Sequence, residues 1–94
     1  MNKYESILVL RPDMEEEARK SLLERFTGII GQDGNVESVD DWGIKRLAYE
    51  IEKLTEGYYY LINFEASADL PSELERNYKI NDNVIRYNII RKDA

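Results

Sequence analysis

Residues 36–66 read VESVDDWGIKRLAYEIEKLTEGYYYLINFEA, two strand-forming runs joined by a polar stretch. The first extends from about Val36 through Ile51, well past the usual length of about 5 or 6 residues. Gly43 stands in its middle, where a bulge or kink fits. Lys53-Leu54-Thr55-Glu56-Gly57 reads as a short loop, and Tyr58 to Ala66 as the antiparallel partner returning from it. What flanks this hairpin decides the fold.

Upstream, Tyr4 to Leu10 is apolar and β-branched and closes at Arg11-Pro12. It is apolar on both faces from Ile7, which predicts a central strand. Asp13 with Glu16 forms a D-x-x-E capping pattern, and a helix is expected from there. Its buried stripe reads Met14, Ala18, Leu22, Phe26, Ile29 and Ile30, the amphipathic α period, with Gly31 and Gly34 supplying the stop. Downstream, Ser67 or Asp69 caps a second helix with Pro71 in its first turn and Leu70, Leu74 and Tyr78 as its stripe. Asn81-Asp82-Asn83 is a turn cluster, and Val84 to Ile90 is the last strand. The order β-α-β-β-α-β predicts one α+β domain over residues 1–94. This is a ferredoxin-like sandwich, a four-stranded antiparallel sheet with both helices on one face and its first and third strands central.

Alternation assigns the faces. Leu8 and Leu10, then Tyr60, Ile62 and Phe64, then Ile85, Tyr87 and Ile89 are expected to meet the helices. The opposite face then carries Glu5, Ile7, Val9, Tyr59, Leu61, Asn63, Arg86 and Asn88, apolar at its centre with bases at its edge, as a sheet does when it receives a partner.

The 94 residues are 43% hydrophobic and 34% charged, enough apolar matter for one ordered core. No apolar run reaches the roughly 18 to 20 residues of a membrane helix, and the start resembles no signal peptide, so a cytoplasmic protein without membrane contact is expected. Absence of cysteine and histidine removes disulfides, thiolate nucleophiles, imidazole metal sites and imidazole-dependent triads. The prior therefore moves from catalysis to binding, and neither a cofactor nor a small-molecule substrate is expected.

The net charge of −6 opposes nucleic-acid binding only on average. Asp13 to Glu24 is acidic, whereas Arg76, Lys79, Arg86, Arg91 and Lys92 face Asp82 alone over the last stretch, and a local field of one sign is enough to attract a polyanion. Lys3, Arg86, Arg91 and Lys92 come from strands that neighbour one another in the expected topology, so their charges are expected to converge. Lys45 and Arg46 point to opposite faces of the second strand, fit either to grip a phosphate backbone or to protect a long edge from self-pairing. Trp42 is open to two roles: landing place for another chain, or closure over the first helix.

Other constellations carry less. Glu56-Gly57-Tyr58-Tyr59-Tyr60-Leu61-Ile62-Asn63-Phe64 matches the third-strand pattern of RNA recognition motif domains poorly, and β-propensity explains its tyrosines. Glu15, Glu16 and Glu17 step around a helix at about 100° each and cannot converge on one ion. A self-associating ferredoxin-like regulatory module binding a small metabolite would call for a glycine-lined pocket, which is not found in the sequence.

Lys3-Tyr4-Glu5 with Arg11-Pro12, then Trp42-Gly43-Ile44-Lys45-Arg46-Leu47-Ala48-Tyr49-Glu50-Ile51, Glu56-Gly57-Tyr58-Tyr59 and Ile80-Asn81-Asp82-Asn83-Val84-Ile85-Arg86 together resemble the bacterial small-ribosomal-subunit protein S-six family. The resemblance covers essentially the whole chain in one order. It implies a non-enzymatic constituent of the small ribosomal subunit that binds the central domain of small-subunit ribosomal RNA with the small-subunit protein S-eighteen as heterodimer partner. Carried over by position, Lys45, Arg46 and Arg86 match the family's bases and Tyr49 its tyrosine, while Ile85 and Asn81 are neutral where some relatives carry bases. The RNA-binding set is accordingly Lys3, Lys45, Arg46, Arg86, Arg91 and Lys92, and the partner-binding set Trp42, Leu47, Tyr49 and Tyr59.

Overall fold

The computed structural model describes residues 1–92. Its elements are β1 (Asn2–Leu10), α1 (Glu16–Gln32), β2 (Gly34–Ile51), β3 (Leu54–Ala66), α2 (Leu70–Lys79) and β4 (Val84–Arg91). The strands form one antiparallel sheet in the order β2-β3-β1-β4, so β1 and β3 are central as their two-sided apolarity requires. Both helices cover one face. Leu8 and Leu10 of β1 and Tyr60, Ile62 and Phe64 of β3 meet Leu22, Phe26 and Ile30 of α1 and Leu70, Leu74 and Tyr78 of α2 in a single core. Phe26 and Tyr78 pack edge to face at 4.7 Å, joining the helices.

Several local expectations are corrected. The first helix begins at Glu16, and its N-cap Glu15 makes no side-chain cap bond, because Pro12 and Asp13 are used in the turn that leaves β1. Met14, outside the helix, still packs on the core, whereas Ala18 is exposed. The sheet-facing position of that turn belongs to Arg19, whose guanidinium lies 3.9 Å over the Tyr58 ring while its Nε donates to the Tyr60 hydroxyl at 3.0 Å. The stripe is thus continued by an amphipathic stem.

Gly31 lies inside α1, which ends at Gln32 with Asp33 as its C-cap and without a left-handed residue. Gly34 is required by proximity instead, since a Cβ there would overlap the Glu65 carbonyl and Ala66. Neither Ser67 nor Asp69 caps α2 through its side chain. Asp69 holds the N-cap position with Pro71 in the first turn, and Ser67 donates to Asp33 at 2.5 Å, tying the α1 terminus to the β3 exit.

The hairpin loop is tighter than expected. Glu52 and Lys53 alone make the turn, at φ 49° and 67°, and Leu54 to Gly57 already belong to β3. Two central residues with positive φ match the right-handed twist of the strands, the geometry usually given to Asn-Gly.

One assignment of face also changes. Val9 pairs with Arg86 and Leu10 with Val84, which leaves Ile85 as the extra residue of a bulge. Its Cδ1 consequently lies beside Gly57, Val9 and Leu47 on the face away from the helices. Val84, Tyr87 and Ile89 are the β4 residues packed on the core.

Candidate nucleic-acid and partner interface

The uncovered face of the sheet is assembled from the alternate residues of four strands. Its floor holds a depression of about 220 Å³ lined by Ile7, Val9, Tyr59, Arg86, Tyr87 and Asn88. No glycine lines it. Val9 is only 1% exposed although no helix covers it. The cover comes from the far end of β2, where four residues, Leu47 to Glu50, stand against Thr55 alone between the pairs Arg46–Glu56 and Ile51–Leu54. That surplus arches over the sheet. Leu47, 8% exposed, is laid beside Gly57, Val9 and Ile85. A Cβ on Gly57 would overlap the Val9 Cγ1 methyl, so glycine is what lets the arch settle.

The arch carries Tyr49 across β3 and β1 until its ring meets Arg86 of β4, with Cζ 5.3 Å from the ring centroid. A second aromatic is placed by a second bulge. Trp42 is the extra residue between Asp41, opposite Tyr60, and Gly43, opposite Tyr59. Gly43 takes φ 73° and donates its N–H to Asp41 Oδ1 at 2.9 Å, while both Asp41 oxygens accept the Tyr58 hydroxyl at 2.8 Å. Burial and this donation to a carboxylate push the Tyr58 hydroxyl up to about 12, so it stays a donor at neutral pH. With Asp41 held on the helix side, Trp42 turns to the open face and stacks on Tyr59 at 6.5 Å and 21°. Lys45 Nζ lies 4.8 Å from the Trp42 ring centroid. Of the two roles left open for Trp42, closure over the first helix is excluded by its face.

The bases expected to converge do so in part. Lys3, Lys92 and Arg86 share the open face, but Arg86 lies opposite Val9, about 20 Å along β1 from Lys3 at strand rise. Lys3 pairs with Glu37 at 3.5 Å, and Lys92 donates to Asn63 Oδ1 at 2.7 Å while Asn63 donates to Ser38 at 3.1 Å. Arg91 is on the other side, beside Pro71, Ser72 and Glu75. Adjacent strand residues point oppositely, so Arg91 and Lys92 could not both join the cluster. Arg46 stands opposite Glu56, on the face away from Lys45, and is exposed.

The residues expected to bind a partner divide similarly. Trp42 is 39% and Tyr49 61% exposed, Tyr59 is half-buried beneath Trp42, and Leu47 is buried in its own chain. Two features were missed in the sequence. The Arg19–Tyr58–Tyr60–Asp41 cluster unites three elements and leaves no local trace. The Asp41-x-Gly43 turn was readable, because an Asp two residues before a glycine is an Asx-turn pattern. Among the described residues no group of acids is placed to hold a metal ion, and no helix is long and apolar enough to cross a membrane.

Comparison with known proteins bears on this surface. The family model described as Ribosomal protein S6 matches residues 3–91. The small ribosomal subunit protein bS6 of Alkaliphilus oremlandii is 59% identical over 91 residues, covering 97% of each chain. That of Clostridium novyi is 47% identical over 94 residues and 99% of each chain. The crystal structure of 30S ribosomal protein S6 from Thermotoga maritima superposes with a TM-score of 0.91 at 34% identity, over 97% of this chain and 87% of that one.

Proposed function

We propose, from the premise that this chain belongs to the ribosomal protein S6 family, that it is a structural constituent of the small ribosomal subunit. In this reading it binds the central domain of small-subunit ribosomal RNA together with the small-subunit protein S-eighteen. The observation that carries the reading is the family match over residues 3–91. The open face supports it by gathering cationic and aromatic side chains around an apolar depression, the chemistry of a surface that receives both phosphate and protein.

The chain's net charge of −6 makes it a weak RNA binder by itself, since a few local bases act against a negative remainder. Its partner is therefore basic, and the role of this chain is to hold and orient that partner. Affinity for a central-domain RNA fragment, measured by filter binding with and without S-eighteen at several salt concentrations, tests this. Strong salt dependence and much tighter binding with the partner are expected. Arg86→Ala and Arg46→Ala should each weaken binding, by about 1 to 3 kcal/mol where the contact is a charge-assisted hydrogen bond and by less where it is exposed. Equal affinity with and without partner would mean an autonomous RNA binder. Unchanged affinity in both variants, with normal circular dichroism, would remove RNA from these bases.

A further inference from the structure

On the open face, the two bases that lie on aromatic rings have no carboxylate partner among the described residues. Five ion pairs occur among the described residues, and they engage Lys3, Arg11, Lys20, Arg76 and Lys79. Lys45 and Arg86 enter none of them, in a chain with 19 acids to 13 bases. Each is found over a ring instead, Lys45 on Trp42 at 4.8 Å and Arg86 on Tyr49 at 5.3 Å, inside the roughly 6 Å range of a cation–π contact.

The difference is chemical. A carboxylate orients a base but neutralises it and competes with any incoming phosphate. A ring orients the cation through its quadrupole and leaves the charge in place. The Tyr49 ring, 5.3 Å from the Arg86 Cζ, holds the guanidinium without neutralising it as a carboxylate would, so its charge and N–H groups stay available for two-pronged phosphate contact. Both rings are themselves fixed from below: Trp42 is stacked on Tyr59, and Tyr49 rides an arch anchored by buried Leu47.

We propose that Trp42 and Tyr49 are positioning residues, which hold Lys45 and Arg86 as uncompensated cations aimed at a phosphate backbone, and are not anchors for a protein partner. The proposal rests on the reading that this face meets RNA. It reassigns two side chains that the sequence placed in the partner-binding set.

The salt dependence of binding separates the two roles. With central-domain RNA and S-eighteen as probes, Tyr49→Leu is expected to lower affinity about 3- to 10-fold. It should also reduce the slope of log affinity against log salt by about 0.7 to 0.9, the loss of one phosphate contact. Arg86→Ala should do the same, the double variant should be no weaker than either single one, and Tyr49→Phe should bind as wild type because the ring is kept. In the free protein, the ring-current displacement of the Arg86 side-chain protons should vanish in Tyr49→Leu and persist in Tyr49→Phe.

A Tyr49→Leu chain that loses affinity at unchanged salt slope is a partner-anchor variant and overturns the proposal. So does an Arg86→Ala loss that Tyr49→Leu fails to reproduce, or wild-type Arg86 protons without a ring-current displacement. An Arg86→Ala chain binding as tightly as wild type, with that displacement present, identifies a different failure: the face does not meet RNA, and the role falls with the function.

Discussion

The Tyr78 hydroxyl and the Ser6 Oγ share a hydrogen bond of 3.0 Å at the centre of the core, 72 residues apart in sequence, with both side chains fully buried. It joins α2 to the middle of β1. Because each group is the other's partner in a region closed to water, Ser6→Ala and Tyr78→Phe are each expected to cost about 1 to 3 kcal/mol by orphaning the remaining hydroxyl. The double variant should cost far less than the sum. Urea unfolding of all four chains measures the coupling, and strictly additive losses would show that the bond contributes nothing.

Alkaline pH should weaken the fold through the tyrosines. Burial pushes the Tyr78 hydroxyl up to about 12, against a smaller opposite pull from Ser6, and Tyr58 is likewise raised to about 12, from an ordinary 10.0. Between these values the unfolded chain releases protons that the folded chain keeps. Stability is therefore full below about pH 10 and falls as pH rises toward about 12. Melting temperatures across this window should decline in the wild type and decline less steeply in Tyr78→Phe. Parallel curves would contradict the assignment.

Truncating two aromatics should have very different effects on folding. Phe26 of α1 is fully buried against Tyr78 of α2, so Phe26→Ala should lose about 3 to 5 kcal/mol. Trp42 has only the Tyr59 stack beneath it, and Trp42→Ala should lose less than about 1.5 kcal/mol. Thermal melts of the isolated chain decide the point, and a loss of core size at Trp42 would place it in the fold's interior.

The hairpin turn is a place to gain stability. Lys53 holds φ 67° with a side chain that disfavours it. Lys53→Gly should stabilise the chain by about 0.5 to 1 kcal/mol after glycine's added freedom in the unfolded state is deducted, which raises the melting temperature by about 2 to 8 °C. A lower melting temperature would show that Lys53 makes up for its conformation elsewhere.

How far the sequence could be read depends on the range of the signal. Tyr4–Leu10, the Leu22–Phe26–Ile30 stripe, the Leu70–Leu74–Tyr78 stripe and the run to Ala66 each repeat with a period set by their own backbone, so element order and the central position of β1 and β3 follow from contiguous residues. The family resemblance was legible for the same reason, as short patterns in fixed order.

The faces were another matter. A bulge adds one residue and reverses every later side chain, and it is set by pairing with another strand. Ile85 left the core face because Val9 and Leu10 face Arg86 and Val84, and Trp42 joined the open face because Asp41 is held by Tyr58. Lys45 and Arg86 could be named as bases from composition alone. That Tyr49 would cross two strands to cover Arg86, 37 positions away, depends on an arch settling over Gly57 and Val9, and such a contact exists only once the sheet has closed. The chain's own pattern determined which elements form; the registry between them, a property of no single segment, decided which side chains meet.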